Sequence, residues 1–546
     1  MRFLIKTMKL SQIFSLVLLC TAGNSRIAQA DNVDVVTFHN DNARLGWNAH
    51  ETVLTPTTLK SGGFGKVWQA PLDGMVHGSP LYLSNIQIGG KQHDVLFAGT
   101  DSNSVYALDA ATGTILWKHQ QLVPQLSDPQ FTGSWGWGKY SKHGILSTPV
   151  IDSATGTLYT CTIRAQGLKQ VYQVWALDIK TGELKQGWPA TIKGKFQGMP
   201  FVAGQVMQRG ALIVVNGKVY VPFGGRGDSP PWRGWLVGVD CKNPQSPQQA
   251  FCSSPVTDGA GIWSGGGVAA SAGDIFASTG NGDYDFTRGG SNFGESVLRL
   301  KTDANSLLFT RKAPDFYTPA NYKQLDEQDE DLGGATANLL PELPGSKVPH
   351  LLFIGGKDGL AYLLDRDNLG GIGGEVQKMR LFGNPSDVYH EGIRSTSAYY
   401  DAGTAGRFIF VAGDNPGPNG EMGITALQIQ LENGVPHFKP VWTQKKMING
   451  PSSPIVTSNG ATDGIVWVVE TENQDHSTLY AFDPVTGSEL YSSDSSGEKN
   501  RFEGGRRFTS PIATNGRVFI GAQGVYCYGL TKSASSKEED KKEAKR

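Results

Sequence analysis

Several signatures of catalysis and metal binding are absent from this sequence, and neither sign of charge is in excess. There is no His-Glu-x-x-His pair for zinc, no Gly-x-Ser-x-Gly elbow for a serine nucleophile and no phosphate-binding loop. Cys-x-x-Cys-His is also missing, which excludes a covalently attached c-type haem. The formal net charge of -1 favours neither nucleic acid nor an anionic membrane surface as a partner.

Long apolar runs are scarce too, and the one near the N-terminus is too short to cross a bilayer. It covers residues 13–20, after the basic residues Arg2 and Lys6 and before Ala-Gln-Ala at 28–30. A positive start, a short apolar segment and a small-residue cleavage site are typical of a secretory signal. We therefore expect a signal peptide at 1–30, a periplasmic or secreted mature protein, and no membrane span.

Cysteine is rare as well, with five in 546 residues. Cys20 lies in the predicted signal, where a lipoprotein would carry its lipid, but the large Leu19 before it disfavours that modification. An exported protein can form disulfides, and Cys241 and Cys252 are close enough in sequence to clip one loop. Free buried thiols are the alternative.

Glycine and proline are abundant instead, at 70 and 28 residues, and they punctuate a segment that recurs with fixed spacing. A Pro at position 80, 149 or 454 is followed 29 residues later by the Asp that ends the segments 106–109, 175–178 and 480–483. Thr-Gly follows each Asp. Asp caps local backbone amides and Gly accepts positive φ, so the combination suits a tight turn between strands. A fixed period of strand-like segments predicts a β-propeller.

We predict an all-β, eight-bladed β-propeller forming one domain over 31–530, because a radial repeat can hold this length in one domain. The last blade lacks a fourth strand, and residues 66–70 form a spare strand. We therefore expect this N-terminal strand to complete the last blade, which closes the ring and removes two sheet edges. Residues 531–546 are a charged tail that we expect to be disordered. The eight blades are predicted at 77–120, 144–190, 209–254, 259–313, 331–379, 389–446, 450–495 and 503–530.

The repeat Tyr-Ala-Leu-Asp-x-x-Thr-Gly-x-x-x-Trp resembles that of the quinoprotein alcohol and methanol dehydrogenases, over nearly all of the mature chain. The resemblance implies an eight-bladed propeller with pyrroloquinoline quinone (PQQ) and Ca²⁺ at its hub. Non-catalytic propellers, such as the outer-membrane assembly scaffold, share the repeat. The site must therefore be argued separately from the fold.

The sharpest match within this resemblance is in the fourth blade, at Gly261-Ile262-Trp263 and Thr279-Gly280-Asn281-Gly282. It implies that Trp263 is the floor on which the quinone stacks, since a flat tricyclic cofactor gains from an aromatic face. It also implies that Asn281 ligates calcium, for which an amide oxygen is a suitable hard ligand. Taken singly, an inter-blade Trp and an Asn-Gly turn are the plainer alternatives.

The acidic segment that ends in Asp331-Leu332-Gly333-Gly334 resembles the family segment that carries the catalytic Asp. This implies that Asp331 is the general base and a calcium ligand. Glu330 replaces the usual Trp, and the acidic cluster around it is open to interpretation as a solvated loop. Gly333 stands where lanthanide-using relatives have a further Asp, which favours calcium.

A lysine in the fifth blade completes the implied site. Lys357, within Gly355-Gly356-Lys357-Asp358-Gly359, matches the family cation that bonds the quinone oxygens. A cation there would stabilise the negative charge that develops when the quinone is reduced. A turn lysine in an Asp-Gly hairpin is the alternative.

Three family features are altered. Relatives place a calcium-ligating Glu before Arg-Gly-aromatic-Leu, here 233–236, but no Glu is present and Asp228 is the nearest carboxylate. Asp228 is therefore the expected third ligand; Arg-Gly-Asp at 226–228 also spells a cell-attachment motif, a frequent chance triplet. The sixth blade has Arg394 near where relatives carry Asn and Trp, and we expect it to contact a carboxylate of PQQ. Ser-Trp-Gly-Trp at 134–137 replaces the paired cysteines.

The sequence thus predicts an exported dehydrogenase that oxidises a small-molecule alcohol or sugar with PQQ and calcium. Electrons would pass to an external cytochrome c or quinone, because no haem motif is encoded. A cofactor-free PQQ-repeat propeller that serves as a binding or assembly scaffold is the alternative, and a degenerate dehydrogenase that recognises polysaccharide is a third. Only the enzyme requires Trp263, Asn281, Asp331 and Lys357 to lie within about 10 Å of one point.

Overall fold

The computed structural model describes residues 33–120, 122–123, 142–166, 169–226, 230–303, 305–383, 392–414, 423–444, 448, 450–471, 476–505 and 509–531. The predicted signal peptide at 1–30 and the tail from 532 onward lie outside these residues. The described chain is built of short strands, and its two α-helices are Pro56–Lys60 and Tyr322–Gln328. Short 3-10 helices are found at Ala203–Gln205, Phe286–Arg288, Ala313–Asp315, Leu332–Gly334, Gly403–Ala405 and Glu498–Asn500.

Eight sheets of the described chain are arranged as the blades of a propeller, as predicted, and their four main strands run antiparallel. A separate two-stranded sheet pairs Lys195–Phe196 with Met199–Pro200. Blades are numbered in chain order, and their strands are given from the channel outward. Blade 1 contains Leu81–Ile88, Lys91–Gly99, Val105–Asp109 and Ile115–His119, and blade 2 contains Val150–Asp152, Thr157–Gln166, Lys169–Asp178 and Ala190–Thr191. Blade 3 contains Ile213–Val215, Lys218–Gly225, Trp235–Asp240 and Gln249–Cys252, and blade 4 contains Ala269–Ser271, Asp274–Ser278, Val297–Thr302 and Leu307–Leu308.

The second half of the ring repeats this plan. Blade 5 contains Asn338–Leu339, Leu351–Gly355, Leu360–Asp365 and Gln377–Arg380, and blade 6 contains Ala398–Asp401, Arg407–Gly413, Gly423–Glu432 and Val435–Thr443. Blade 7 contains Ile455–Asn459, Thr462–Glu470, Thr478–Phe482 and Glu489–Ser492, and blade 8 contains Ile512–Thr514, Arg517–Ala522, Gly524–Leu530 and Phe64–Ala70. Innermost strands of adjacent blades touch, as Ile455–Asn459 does with Ala398–Asp401 and with Ile512–Thr514. Additional short strands are Trp47–Asn48, Lys195–Phe196, Met199–Pro200, Val206–Met207, Phe316–Thr318 and Gly371–Ile372.

The outer strand of blade 8 comes from the beginning of the chain. Phe64–Ala70 pairs antiparallel with Gly524–Leu530, with Trp68 opposite Cys527. The edge that Gly524–Leu530 would otherwise present is therefore covered, and the first and last parts of the repeat share one sheet.

Three Thr-Gly turns of the repeat pack against the outer-strand Trp of the preceding blade. Asp109 Oδ1 accepts the backbone N–H of Thr112 at 3.0 Å, and Gly113 follows with φ 73°. A Cβ at Gly113 would lie 2.7 Å from the Trp68 ring, so only glycine admits the indole. The Trp68 Nε1 group then donates to the Ala110 carbonyl at 3.1 Å. Trp117 on Gly182 and Trp442 on Gly487 repeat this contact, which explains the Thr-Gly and Trp spacing in the sequence.

Residues 33–51, which we call the hub strap, run around the channel and hydrogen-bond to all eight blades. The bonds, in blade order, are Val35 with Tyr82, Val36 with Ile151, Asn42 with Val214 and with Ala270, Ala43 with Leu339, Leu45 with Tyr399, Gly46 with Val456, and Asn48 with Ala513. Arg44 is fully buried in the strap and donates to the Val268 carbonyl at 2.9 Å and to Thr37 Oγ1 at 2.7 Å. The strap ties the ring together at its centre.

The cores lie between neighbouring blades rather than in one central core. Cys161 and Cys252 belong to the apolar cluster between blades 2 and 3, and Cys241 packs against it. All four cysteines of the described chain are free, so the Cys241–Cys252 disulfide is not formed. Among the described residues, no helix has the length and apolar character required to cross a membrane.

Candidate functional site

One end of the channel collects two kinds of loop, because consecutive strands of a blade are antiparallel. Loops that lead into an innermost strand and loops that join the second and third strands both lie at this end. Trp263, Asp331 and Arg394 lie on loops of the first kind, and Asn281 and Lys357 on loops of the second kind. The repeat therefore places these five predicted residues on one face.

Asp331 is the point at which four of the predicted residues meet. Its Oδ1 accepts the Trp263 indole N–H at 3.3 Å and the Asn281 backbone N–H at 2.6 Å. Its Oδ2 lies 2.8 Å from Lys357 Nζ, and its carbonyl accepts the Lys357 backbone N–H at 3.0 Å. Asp331 is 3% exposed, so these contacts replace water around the carboxylate. Trp263, Asn281, Asp331 and Lys357 form one contiguous cluster.

Glycines make this close packing possible. A Cβ at Gly280 would lie 2.0 Å from Asp331 Oδ1 and 2.6 Å from Trp263 Nε1. A Cβ at Gly333 would meet the Gly280 backbone nitrogen at 2.4 Å, and one at Gly224 would meet the Trp263 Cβ at 2.4 Å. The Gly-rich sequence around each predicted residue thus provides close approach of backbones around one carboxylate.

Lys357 is a buried cation held by two carboxylates. Its Nζ lies 3.0 Å from Asp329 Oδ2 in addition to its contact with Asp331. Burial alone would lower the pKa of Lys357, but attraction to Asp331 and Asp329 outweighs it and raises the pKa above its ordinary value. Lys357 therefore carries its charge at neutral pH. The Nζ is also 6.0 Å from the centre of the Trp263 ring.

The acidic segment before Asp331 is only partly solvated. Asp326, Glu327 and Asp329 are exposed, whereas Glu330 and Asp331 are buried. Two of the exposed members still contact the site, since Asp326 Oδ1 accepts the Gly282 N–H at 2.6 Å and Asp329 Oδ1 accepts from Asn281 Nδ2 at 3.3 Å. The solvated-loop interpretation thus describes three of these side chains and fails for Glu330 and Asp331.

Glu295 is a further buried carboxyl group that the sequence motifs do not indicate. It is fully buried, and its Oε2 accepts the Leu332 backbone N–H at 2.6 Å, next to Asp331. Its backbone N–H donates to the Gly280 carbonyl at 3.0 Å, next to Asn281. Burial and the nearby charge of Asp331 raise the pKa of Glu295 well above its ordinary value. Glu295 thus holds the segment of Asp331 and the segment of Asn281 together. Its φ of 48° depends on tertiary contacts that no sequence motif indicates.

Arg209 is a second residue that sequence reasoning missed. It lies on the loop that leads into blade 3, and its guanidinium carbon is 5.1 Å from the centre of the Trp263 ring. Its Nη2 donates to the Trp263 carbonyl at 3.2 Å. No spacing in the sequence links positions 209 and 263, because the contact depends on how blades 3 and 4 pack.

Arg394 lies beside the cluster rather than within it. Its Nη2 pairs with Asp414 Oδ2 in blade 6, and both side chains are largely buried. A Cβ at Gly334 would lie 3.3 Å from both Arg394 Cγ and Lys357 Cγ, so the two cations flank the same glycine. The structure thus places Arg394 next to Lys357, with its charge matched by Asp414.

The predicted metal ligands are only partly described. Asn281 and Asp331 are adjacent, and both offer oxygen atoms. Asp228 lies outside the described residues, so its part in the site stays a prediction. Over the described ranges, no group of three or more His, Cys, Asp or Glu side chains has the arrangement of a metal site.

Comparison with known proteins shows that this chain shares its fold with solved structures. A PQQ-repeat family model (PQQ_2), described as outer membrane protein assembly factor BamB, matches residues 60–292. No curated protein matches the chain. A quinohemoprotein alcohol dehydrogenase, ADHIIG from Pseudomonas putida HK5, is similar in structure, with a TM-score of 0.62, 13% identity, and coverage of 92% of this chain and 81% of that one.

Two further solved structures are similar in fold to this chain. The quinohemoprotein alcohol dehydrogenase from Comamonas testosteroni has a TM-score of 0.59 and 14% identity, and the match covers 93% of this chain and 82% of that one. A europium-containing methanol dehydrogenase has a TM-score of 0.56 and 13% identity, and the match covers 90% of each chain. At such low identity the likeness establishes the fold. The chain is thus an eight-bladed propeller, as the sequence predicted, and its residues 60–292 match the PQQ-repeat model.

Proposed function

We propose that this PQQ-repeat propeller is an exported dehydrogenase that oxidises the hydroxyl group of an alcohol or a sugar with PQQ and Ca²⁺ bound at its hub. One observation carries the proposal: Trp263, Asn281 and Lys357, from three different loops, all contact the single buried carboxylate of Asp331. A base, a cation and an aromatic face at one point are the parts that quinone-dependent oxidation requires.

The donor set fits the cofactor. Trp263 is half-buried and its indole N–H is bound to Asp331, so the orientation of the ring is fixed. A fixed indole face is a suitable surface on which a flat ring system can stack. Lys357 provides a charged donor at the same edge. The Asn281 Nδ2 group is occupied by Asp329, and its Oδ1 together with Asp331 gives an oxygen set that suits Ca²⁺ better than a soft metal.

The chemistry of the site follows from these residues. PQQ, when bound, would accept the hydrogen of the substrate C–H bond together with its two electrons, and Ca²⁺ would make the quinone carbonyl more electrophilic. Asp331, as the base, takes the proton of the substrate hydroxyl on a carboxylate oxygen. Lys357 Nζ lies 2.8 Å from Asp331 Oδ2, and its positive charge stabilises negative charge that develops nearby. The electrons then leave to an external acceptor, since the sequence encodes no haem attachment motif.

A scaffold without cofactor is the second candidate, and the description of the matching family model favours it. A scaffold has no need of a buried Lys–Asp pair beneath an indole, because desolvating two charges is costly. The cluster therefore supports the enzyme over the scaffold.

Turnover by the reconstituted protein tests the proposal. The mature protein is loaded with PQQ and Ca²⁺, and dye reduction is followed over a panel of alcohols and sugars. We expect Asp331→Asn to lower kcat by about 10²–10⁴-fold with cofactor still bound. Asp365→Asn, a blade 5 turn residue whose Oδ1 accepts the Asp367 N–H at 2.9 Å, is the matched control. Wild-type protein that binds PQQ and turns over no substrate would contradict the dehydrogenase.

A further inference from the structure

Trp263 has a cationic group against its ring that the chemistry above does not use. The Arg209 guanidinium carbon lies 5.1 Å from the ring centre, and Lys357 Nζ lies 6.0 Å from it. Cations are attracted to the negative face of an indole, and a guanidinium can also lie flat on it. Arg209 comes from blade 3, whereas Lys357 comes from blade 5.

The backbone on both sides of Arg209 is fixed. The Gln208 backbone N–H donates to Tyr172 Oη at 3.3 Å, and Gln208 Nε2 donates to the Gly210 carbonyl at 2.7 Å. A Cβ at Gly210 would lie 2.8 Å from Pro222 Cγ and 3.0 Å from the Ser264 carbonyl oxygen. Arg209 is therefore positioned by the packing of blades 2, 3 and 4, unlike a surface arginine on a loose loop.

Trp263 is contacted by groups of both charges. Its Nε1 group donates to the carboxylate of Asp331, and Asp329 Oδ1 lies 3.3 Å from the Nδ2 group of the neighbouring Asn281. Arg209 lies over the ring and donates to the Trp263 carbonyl at 3.2 Å. A flat ligand bound at this indole would therefore lie close to both the carboxylate of Asp331 and the guanidinium of Arg209.

We propose that Arg209 is a ligand-binding residue that pairs with a carboxylate of the flat ligand stacked on Trp263 and so sets the orientation of that ligand. The inference rests on the proposed function, because the flat anion tested is PQQ. A guanidinium presents parallel N–H groups that match a carboxylate, and one N–H can remain on the Trp263 carbonyl.

Equilibrium binding measured by quenching of tryptophan fluorescence tests this inference without any need for turnover. The titrants are PQQ and its neutral trimethyl ester, each with Ca²⁺ present. The variants are Arg209→Gln, Arg209→Lys and the control Arg233→Gln, which removes a blade 3 arginine whose Nη2 lies 3.5 Å from Asp258 Oδ1. Thermal melts establish that each variant is folded, and Arg209→Lys keeps the charge should the Gln variant fail to fold.

We expect Arg209→Gln to weaken PQQ binding by about ten- to a hundredfold, which is the effect of one charge-assisted hydrogen bond. Binding of the trimethyl ester should be unchanged, Arg209→Lys should be intermediate, and Arg233→Gln should match wild type. Wild-type affinity of Arg209→Gln for PQQ would overturn the role of Arg209 and leave the proposed function standing. Absence of PQQ binding to the wild-type protein would overturn the proposed function and this inference with it.

Discussion

Lys357 Nζ lies 2.8 Å from Asp331 Oδ2, and the two side chains are 10% and 4% exposed. Two opposite charges out of water must compensate each other, so each holds the other in place. The pair joins the blade 5 loop that carries Lys357 to the loop that carries Asp331. It also fixes the carboxylate to which Trp263 and Asn281 are bound.

Breaking this pair on one side only is expected to be costly. Lys357→Met leaves buried Asp331 without its cation, and we expect the free energy of unfolding to fall by about 3–5 kcal/mol. The double variant Lys357→Met/Asp331→Asn should recover much of this loss, because the one carboxylate that it leaves without a cation, Asp329, is exposed to water. Denaturant unfolding of the four proteins gives the coupling energy. Lys218→Met, at an ion pair of 3.0 Å whose Asp240 is 30% exposed, is the control and should cost less. Additive effects of the two single changes would contradict the coupling.

Gly280 has no room for a side chain, because a Cβ there would lie 2.0 Å from Asp331 Oδ1. We expect Gly280→Ala to displace Asp331 from Trp263 and to lower PQQ affinity at least about tenfold, since it disrupts the binding edge. Gly204→Ala is the matched control, as its nearest neighbour, Gln170 Oε1, is 4.0 Å away. The comparison is made by fluorescence titration, and wild-type affinity in Gly280→Ala would contradict the packing described.

Glu295 should make stability fall with rising pH. Its pKa is raised in the folded state above the ordinary value of 4.5, so the folded protein binds the proton more tightly than the unfolded chain. Stability is then lost as pH rises above 4.5 towards the folded pKa. Glu295→Gln removes this loss, so the melting temperature of the variant, relative to that of wild type, should increase from pH 5 to pH 8. A constant difference across that range would show that Glu295 is ionised at no cost.

His39 in the hub strap should act in the opposite direction. It is fully buried, and burial lowers its pKa from 6.5 to about 3. Below pH 6.5 the unfolded chain takes up a proton that the folded state refuses, so stability falls as pH falls, by about 2 kcal/mol at pH 5 from this one group. His39→Asn suits the φ of 56° and should flatten the profile between pH 6.5 and 5. Denaturant unfolding at pH 6.5 and at pH 5 measures the free energy of unfolding. An equal change in that free energy between the two pH values in wild type and in His39→Asn would contradict the prediction.

The repeat made the fold predictable, whereas the hub strap was not foreseen. Thr-Gly and Trp recur because a glycine turn such as Gly182 receives the indole of Trp117 from the preceding blade, and this contact leaves a period in the sequence. The strap contacts every blade, largely through backbone groups of unrelated residues such as Val36 and Leu45. A segment without periodicity carries no sign of that path.

The candidate site also contains some residues that the sequence indicates and others that it does not. Trp263, Asn281, Asp331 and Lys357 lie in motifs that resemble segments of the quinoprotein dehydrogenases, and this resemblance implied that they converge. Glu295 and Arg209 were missed because their roles arise from burial and from packing between blades, which the local sequence does not record.

Binding of PQQ and Ca²⁺ to the purified mature protein tests the central claim most directly. Tryptophan fluorescence is titrated with PQQ in the presence and absence of Ca²⁺, and bound calcium is counted after equilibrium dialysis. We predict one PQQ and one Ca²⁺ per chain, with binding lost in Trp263→Ala and kept in Trp117→Ala, an inter-blade tryptophan whose Nε1 donates to the Ile179 carbonyl at 3.0 Å. Absence of PQQ binding with calcium present would contradict the dehydrogenase and favour the scaffold.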